Sequence, residues 1–363
     1  MSRFEEQKKK VEGGDTNPFT MYYGQLLHQG NMLQDQVRTG RYQQAIFDNV
    51  ADFRGKVVLD VGTGTGILSF FAAQAGAKKV YAVELSDAAN IAETLAKSNG
   101  FGDIVQVIRG KVEEITLPEK VDIIVSEPLG FLLVHERMLE SYVAARDRFL
   151  KPRGNMFPTT GDIVFGPITD EAIHNEQAAK AAFWENKNFF NIDLSAVSDE
   201  AYQEFYTQAI VGFFPSSALL SSSRTVHKVD FLRVSREELL SFEIPFSFRI
   251  DKTAVCHGFG CWFDVNFIGS TVNVELSTGP DHPGTHWYQC RLLLREPIAV
   301  NKNQSISGSM LFEVNDKFSY CVTVRVQLDG TDVYTENKIN LHDQMYHYLN
   351  SPAPAATADA TSY

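Results

Sequence analysis

A glycine-rich loop between an apolar run and a helix-like segment constrains the fold of this chain most. The run Val57–Leu59 is β-branched and apolar, as in a buried strand, and leads into Asp60-Val-Gly-Thr-Gly-Thr-Gly66. From Ile67 onward, apolar and small residues predict a helix. Glycines at alternate positions let the backbone approach a ligand closely where that helix begins. The segment therefore predicts a strand-loop-helix unit that binds a nucleoside-containing ligand.

The spacing of these glycines distinguishes between cofactors. The dinucleotide fingerprint G-x-G-x-x-G requires glycine at its sixth place, which is Ile67 in this chain. A second strand candidate, Val80–Glu84, ends in an acid that is placed to accept hydrogen bonds from ribose hydroxyls. Together these features favour S-adenosylmethionine over NAD. The alternative is that the glycines serve helix packing alone.

The first half of the chain alternates strands with helices. Residues 1–18 are polar and predicted to be flexible, and 19–50 show a helical period of apolar residues. The segment 51–158 has the βαβ pattern of a parallel sheet. Its strand candidates are short apolar runs: Val57–Asp60, Val80–Glu84, Val105–Arg109 and Val121–Ser126.

The second half, about 159–348, changes to a period of two. Apolar and polar residues alternate over Phe318–Leu328, and Asp329-Gly330 supplies a turn. Phe242–Ile250 and Thr271–Leu276 show the same pattern, which predicts an antiparallel β-barrel or sandwich. Residues 170–210 are helical and aromatic-rich, either as local core or as an apolar arm that awaits a partner. The tail 349–363 is small, proline-bearing and predicted to be disordered.

Composition narrows the class of protein. The 363 residues suggest about two domains, no apolar run is long enough to span a membrane, and the N-terminus lacks the apolar core of a secretory signal. A net charge of −12 argues against direct nucleic-acid binding and is compatible with attraction of basic protein segments. The 4 cysteines have no C-x-x-C spacing, which predicts reduced thiols in a nuclear or cytoplasmic protein and no metal site.

Two carboxylates flank an apolar, hairpin-like stretch in Glu127-Pro-Leu-Gly-Phe-Leu-Leu-Val-His-Glu136. A single acid in such a place is commonly a helix cap or a surface ion pair. A flanking pair downstream of a nucleotide-type loop suggests a clamp for a planar cation. A guanidinium suits it, because its fork of donors matches carboxylates bidentately.

Several motifs, taken together, resemble the protein arginine methyltransferase family, and most closely its coactivator-associated type. They are the glycine loop, the double-glutamate stretch with Pro128, Asn31-Met-Leu-Gln-Asp35 and Thr285-His-Trp-Tyr-Gln289. The match covers about 19–345. The resemblance implies an α/β plus β fold: a Rossmann-like class I methyltransferase domain, then an antiparallel β-barrel with a helical dimerisation arm at about 170–210.

The resemblance also implies roles for individual residues. Glu127 and Glu136 would grip the guanidinium of a substrate arginine and localise its positive charge on the far nitrogens. His286 and Asp35 would help to accept the departing proton, and the hydroxyl of Tyr23 would orient the first glutamate.

Further residues are implied for the cofactor and the substrate pocket. Arg38 would pair with the methionine carboxylate of S-adenosylmethionine, Glu84 with the ribose and Glu113 with the adenine amino group. The remaining cofactor-binding candidates surround these groups: Gln29, Asp60, Gly62, Gly64, Gly66 and Ser141. The candidates for the substrate pocket are Met32, Leu129 and Trp287.

The chain departs from the family pattern at a few positions. Phe19-Thr20 stands where the family usually has Tyr-Phe, and Leu129 and Phe131 replace a common methionine and tyrosine. The resemblance favours asymmetric dimethylation of arginine in histone tails and RNA-binding proteins by a homodimer. Two other functions stay open: a methyltransferase for another amine, and a catalytically silent scaffold that binds the cofactor.

Overall fold

The computed structural model describes residues 17–347, so the predicted tail and nearly all of the predicted N-terminal segment lie outside the described residues. The chain forms two compact units. Unit 1 takes the residues up to Glu127, then Ala144–Phe157 and Gly269–Val272; unit 2 takes Pro128–Val143, Pro158–Ile268 and the residues from Asn273 onward. No helix within residues 17–347 is long and apolar enough to cross a membrane.

Unit 1 is organised around a five-stranded parallel sheet in the order β3-β2-β1-β4-β5. Its strands are β1 Val57–Val61, β2 Lys79–Glu84, β3 Val105–Arg109, β4 Val121–Ser126 and β5 Leu150–Phe157. Every residue of β1 is buried, as expected for a parallel strand that is covered on both faces. The four strands predicted in this half are present, each within one residue of its predicted limits. The predicted Rossmann-like arrangement is therefore confirmed.

The helices of the first half begin at recognisable signals. They are α1 Pro18–Tyr23, α2 Leu26–Gln34, α3 Gln36–Phe47, α4 Val50–Phe53, α5 Ile67–Gln74 and α6 Ala88–Ser98, with α7 Met138–Phe149 after the double-glutamate stretch. Asn17 caps α1 by accepting from the backbone N–H of Phe19 at 3.0 Å. Asp35 separates α2 from α3, because its carboxylate accepts from the backbone N–H of Arg38 at 2.9 Å.

Unit 2 contains a ten-stranded sheet that nearly closes into a barrel. Its strands are β6 Thr160–Ile168, β7 Gln208–Val211, β8 Thr225–Asp230, β9 Ser241–Arg249, β10 Ala254–Ile268, β11 Asn273–Ser277, β12 Cys290–Val300, β13 Ser305–Val314, β14 Tyr320–Leu328 and β15 Tyr334–Tyr346; a short helix, α10 Arg236–Leu240, precedes β9. The order is β8-β6-β10-β12-β7-β15-β14-β13-β9, with β11 beside β10. Pairing is antiparallel as predicted, except that β7 and β15 run parallel.

Two strands of unit 2 begin later than the alternation predicted. Phe318 has a φ of 55° inside a turn in which the Asn315 side chain accepts from the N–H of Ser319 at 3.1 Å, so β14 starts only at Tyr320. The N–H groups of Thr271 and Val272 donate to the Asn49 side chain at 3.0 Å each, which keeps both residues out of β11. In both cases a side-chain acceptor takes the backbone donors that a strand would use.

The aromatic segment 170–210 contains two helices, α8 Glu171–Ala182 and α9 Ser198–Tyr206, joined through single 3₁₀ turns. Ile173 of α8 and Tyr206 of α9 pack with Ile210 and Leu293, so the helices belong to the core of unit 2. The connection between them carries the apolar side chains Phe190 and Ile192, which are 85% and 60% exposed. The two helices are therefore local core, and the connection between them, hereafter the arm, exposes apolar side chains.

Candidate active site

The glycine loop of unit 1 has a backbone that only glycine adopts without strain. Gly62, Gly64 and Gly66 have φ values of 68°, 56° and 95°. A Cβ on Gly64 would lie 2.6 Å from Oε1 of Gln29, so this side chain packs directly on the loop. Nε2 of Gln29 donates to the carbonyl of Tyr23 at 2.9 Å. The structure thus brings α1, α2 and the loop together through one amide.

Asp60, at the start of this loop, has one satisfied and one unsatisfied carboxylate oxygen. Oδ2 accepts from the hydroxyls of Thr63 at 2.6 Å and Ser69 at 2.7 Å. Oδ1 is buried and has no hydrogen-bond partner among the described residues. Burial raises the pKa of Asp60 to about 6, although the two hydroxyls oppose the shift. A buried carboxylate oxygen without a donor is suited to a cationic or donor group of a ligand.

Glu84, the last residue of β2, is fixed beside the same loop. Its Oε2 accepts from the N–H of Gly64 at 2.8 Å, and its Oε1 accepts from the N–H of Ser86 at 2.8 Å. Each carboxylate oxygen can accept more than one hydrogen bond, so both keep acceptor capacity for ligand hydroxyls.

Arg38 and Glu127 form a buried ion pair within unit 1. Nε and Nη2 of Arg38 lie 3.0 Å and 2.8 Å from Oε2 of Glu127, and Nη1 lies 3.4 Å from the carbonyl of Met32. Burial disfavours the charged guanidinium, but attraction and hydrogen bonding from Glu127 outweigh it, so the pKa of Arg38 is raised. The pair therefore places a permanent cation against the first glutamate.

Three other candidates of unit 1 have the following positions in the structure. The carboxylate of Asp35 caps α3. The ring of Tyr23 stacks on Phe19 at 6.4 Å between ring centroids. Glu113 follows β3 and is exposed.

In unit 2, residues 128–135 form the apolar part of the double-glutamate loop. The predicted hairpin-like turn is present, because the N–H of Gly130 donates to the carbonyl of Leu133 at 3.3 Å. A Cβ on Gly130 would lie 2.2 Å from the carbonyl oxygen of His135, so only glycine fits there. Non-glycine residues have positive φ in and just after this turn: Leu132, Leu133, Glu136 and Arg137. Such a backbone persists only where its surroundings hold it.

Trp287 holds the start of this loop. Its indole Nε1 donates to the carbonyl of Leu129 at 3.0 Å, so two of the substrate-pocket candidates are in contact. The Trp287 ring also packs edge-on against Phe263, with 5.2 Å between centroids. His286 is half-buried and its ring centroid lies 4.1 Å from that of Trp287. Ser141 is half-buried in α7.

Two predicted pairings have one member in each unit and stay predictions: Glu127 with Glu136, and Asp35 with His286.

The sequence does not reveal the residues that hold the candidates in place. Thr63 and Ser69 on Asp60 are examples, and so are Ser319 and Gln344, which flank the imidazole of His135 at 2.8 Å and 2.9 Å. The alternating pattern places Ser319 on the polar face of a strand, yet its side chain is completely buried. The only signal for His135 was its position directly before Glu136.

Comparisons with known proteins agree with this fold. A family model described as "Methyltransferase domain" matches residues 58–154, and one described as "Arginine methyltransferase oligomerization subdomain" matches residues 165–332. The combination defines a methyltransferase domain joined to a barrel domain. Such a combination is found in protein arginine methyltransferases.

Individual relatives establish the family. The chain is 45% identical over 353 residues to the histone-arginine methyltransferase CARMER of Drosophila ananassae, covering 97% of this chain and 66% of that protein. It therefore spans about two thirds of the length of the curated relatives that it matches. Among solved structures, Arabidopsis thaliana protein arginine methyltransferase 10 has 32% identity and a TM-score of 0.80, with 88% of this chain and 99% of that chain covered. The Trypanosoma brucei PRMT1 enzyme-prozyme complex with AdoHcy has 33% identity, the same TM-score and the same coverage. The chain belongs to the protein arginine methyltransferase family.

Proposed function

We propose that this chain transfers methyl groups from S-adenosylmethionine to guanidinium nitrogens of arginine side chains in proteins. The observation that carries the proposal is the double-glutamate loop, held by Trp287, in a chain whose glycine loop has a buried carboxylate oxygen with no partner among residues 17–347. The name of the CARMER relatives favours histone tails as substrates, and the net charge of −12 favours basic segments in general. We propose RNA-binding proteins as a second substrate class, and the nucleus and cytoplasm as locations.

The residues of unit 1 are suited to the cofactor. The loop with Gly62, Gly64 and Gly66 admits close approach of a ligand, and the unpaired Oδ1 of Asp60 is suited to its ammonium group. The other residues that would hold the cofactor are those proposed from the family pattern: Gln29, Arg38, Glu84, Glu113 and Ser141. When bound, S-adenosylmethionine supplies an electrophilic methyl group on a sulfonium.

The chain's own residues would prepare the arginine. Because a guanidinium has a pKa above about 12, its positive charge must be concentrated on the nitrogens that the enzyme grips before the free nitrogen becomes nucleophilic. Glu127 and Glu136 would grip it, and Arg38 would orient Glu127 through their buried ion pair. Such positioning and charge stabilisation account for most of the catalysis that carboxylates provide here.

The remaining candidates would complete the reaction site. His286 and Asp35 would accept the proton that leaves the methylated nitrogen, and Tyr23 would orient the first glutamate. The pocket residues Met32, Leu129 and Trp287 would limit the position of a second methyl group. We propose asymmetric dimethylarginine as the final product.

Mass spectrometry of a histone-tail peptide incubated with the protein and S-adenosylmethionine tests the proposal. We expect additions of one and two methyl groups on arginine, with neutral losses of the asymmetric product, and no addition by Glu127→Gln. The exposed Glu237→Gln serves as the matched control and should methylate normally. Methylation of small amines instead of the peptide would favour the second enzymatic function. Cofactor binding without transfer to any acceptor would favour a silent scaffold.

We propose that the chain works as a homodimer. The arm carries the exposed Phe190 and Ile192, and apolar side chains are also exposed on α2 of unit 1, where Leu26 and Leu27 are 65% and 69% accessible. A second copy that covers both patches would form a closed two-fold pair.

Sedimentation equilibrium tests the dimer. Phe190→Asp should give a monomer, because an unpaired charge would be buried in the interface. Val226→Asp introduces the same charge at another exposed apolar position, on β8, and should stay dimeric. A dimeric Phe190→Asp would contradict the proposal.

A further inference from the structure

The imidazole of His135 is held on two sides by the barrel of unit 2. Its Nδ1 lies 2.8 Å from Oγ of Ser319, and its Nε2 lies 2.9 Å from Nε2 of Gln344. The side chain is buried, and its ring centroid lies 4.3 Å from that of Phe131 in the same loop. Both hydrogen-bonding groups come from segments far along the chain, so they fix the loop to the barrel.

The amide of Gln344 determines which nitrogen of His135 carries the proton. Its nitrogen also donates to the carbonyl of Leu341 at 2.8 Å, and its oxygen accepts from the hydroxyl of Tyr346. The amide nitrogen therefore faces His135 and can only donate. Nε2 of His135 must accept, so the proton is on Nδ1, which donates to Ser319.

The ionisation of His135 agrees with this assignment. Burial, with a smaller contribution from nearby His342, lowers the pKa of His135 to about 3. The imidazole is neutral at pH 7, as an acceptor at Nε2 requires.

The residue on the other side of Glu136 is held by the same turn. Nη1 of Arg137 donates to the carbonyl of Asn315 at 3.2 Å, and Nε of Arg137 lies 2.6 Å from Glu140. Asn315 in turn accepts from the N–H of Ser319 at 3.1 Å. Both neighbours of Glu136 are thus attached to the single turn between β13 and β14.

This attachment coincides with an unfavourable backbone. Glu136 and Arg137 have φ values of 73° and 60°, in the left-handed region that L-residues with a Cβ seldom adopt. Without the hydrogen bonds that the side chains of His135 and Arg137 make, the backbone at Glu136 would relax to a commoner conformation. The Glu136 carboxylate would then turn away from its present direction.

The geometry points to His135 as a positioning residue: as the neutral Nδ1–H tautomer, bracketed by Ser319 and Gln344, it holds Glu136 in the orientation that grips the substrate guanidinium. The inference rests on the proposed function of Glu136.

Steady-state kinetics with an arginine peptide tests the role. His135→Phe keeps the ring and removes both nitrogens, so kcat should fall by about 10- to 100-fold, the usual cost of a misplacement near 1 Å, while the Kd for S-adenosylmethionine stays within about twofold. His135→Asn keeps a donor near the Nδ1 position and should recover about tenfold of that loss. The matched control is His227→Phe, at a half-buried histidine whose ring also contacts a phenylalanine, and it should leave kcat unchanged.

Nitrogen NMR of the ¹⁵N-histidine-labelled protein tests the tautomer without any need for activity. The His135 signals, assigned by their loss in His135→Asn, should show a protonated Nδ1 and an unprotonated Nε2 at pH 7. A protonated Nε2 would contradict the assigned hydrogen bonds of His135 to Ser319 and Gln344. An unchanged kcat in His135→Phe would overturn the positioning role.

Two further results are decisive. If His135→Phe does not fold, Ser319→Ala carries the kinetic test, because it removes only one hydroxyl; an unchanged kcat there would overturn the role as well. An unsubstituted protein that transfers no methyl group would contradict the proposed function, and the positioning role with it. The tautomer measurement would still test the hydrogen bonds of His135 in that case.

Discussion

The glycine loop at 60–66 and the double-glutamate loop at 128–137 both use left-handed backbone, but they obtain it differently. In the first loop the residues with positive φ are glycines, which adopt it without strain. In the second they are leucine, glutamate and arginine, for which it costs about 1–2 kcal/mol per residue. The local sequence determines the first conformation. The second must be imposed by contacts with the barrel, such as those of Trp287 and Ser319.

The largest effect that separates the two loops is expected from Gly64→Ala. The φ of 56° and a Cβ only 2.6 Å from Oε1 of Gln29 should lower the free energy of unfolding by about 3 kcal/mol, measured by urea denaturation. Gly40→Ala is the matched control. Gly40 lies inside α3 with open space around it, so alanine should stabilise the protein by about 0.5–1 kcal/mol. Equal changes in the free energy of unfolding for the two substitutions would contradict the requirement for glycine in the first loop.

Trp287→Phe should have the next largest effect, and it acts on the second loop. The carbonyl of Leu129 would lose the indole N–H as a donor, which costs about 0.5–1.5 kcal/mol of unfolding free energy. Because the loop carries Glu136, kcat should fall by a larger factor than the affinity for the cofactor. Trp262→Phe removes a tryptophan of similar burial from a core cluster and should lower stability without changing kcat. If Trp287→Phe has the kcat of the unsubstituted protein, the loop keeps its conformation without the Trp287 hydrogen bond.

Cofactor binding should depend on pH through Asp60. Its pKa is about 6, so the carboxylate is ionised above that pH and the affinity for the cationic cofactor is constant there. Below pH 6 the ionised fraction falls, and affinity should weaken by about tenfold per pH unit. Calorimetric titrations from pH 5 to pH 8 measure this. Asp264 also has its pKa raised to about 6, mainly by burial, but it lies in the barrel, so Asp264→Asn should leave the dependence unchanged and Asp60→Asn should abolish it.

The smallest expected effect compares two arginines with positive φ. Arg153, at 65°, is exposed in β5, so Arg153→Gly should stabilise the protein by about 0.5–1 kcal/mol by relieving strain. Arg137, at 60°, is bonded to Glu140 and Asn315, so Arg137→Gly should destabilise it despite the same relief. Urea denaturation measures both. Stabilisation by Arg137→Gly would contradict the view that side-chain contacts impose the second loop.

The comparison also explains what the sequence could predict. The strands of the parallel sheet and the glycine loop follow from neighbouring residues, because apolar runs and glycine spacing are local signals. The double-glutamate motif was visible, but the bonds that hold it join residues far apart: 158 positions separate Trp287 from Leu129, and 209 separate Gln344 from His135. The parallel pairing of β7 with β15 likewise joins segments that no single sequence window contains. The late start of β14 has a local cause instead, because Asn315 and Ser319 lie in one turn that the alternating pattern does not reveal.

We propose that the glycine loop and its neighbours hold the cofactor, and that the double-glutamate loop prepares the arginine. Glu136→Gln tests it most directly when cofactor affinity and methyl transfer are measured on the same sample, by calorimetry and by peptide methylation. We expect a Kd for S-adenosylmethionine within about twofold of that of the unsubstituted protein, and a kcat lower by about 100-fold or more. Parallel loss of cofactor binding, or retention of full transfer, would contradict it.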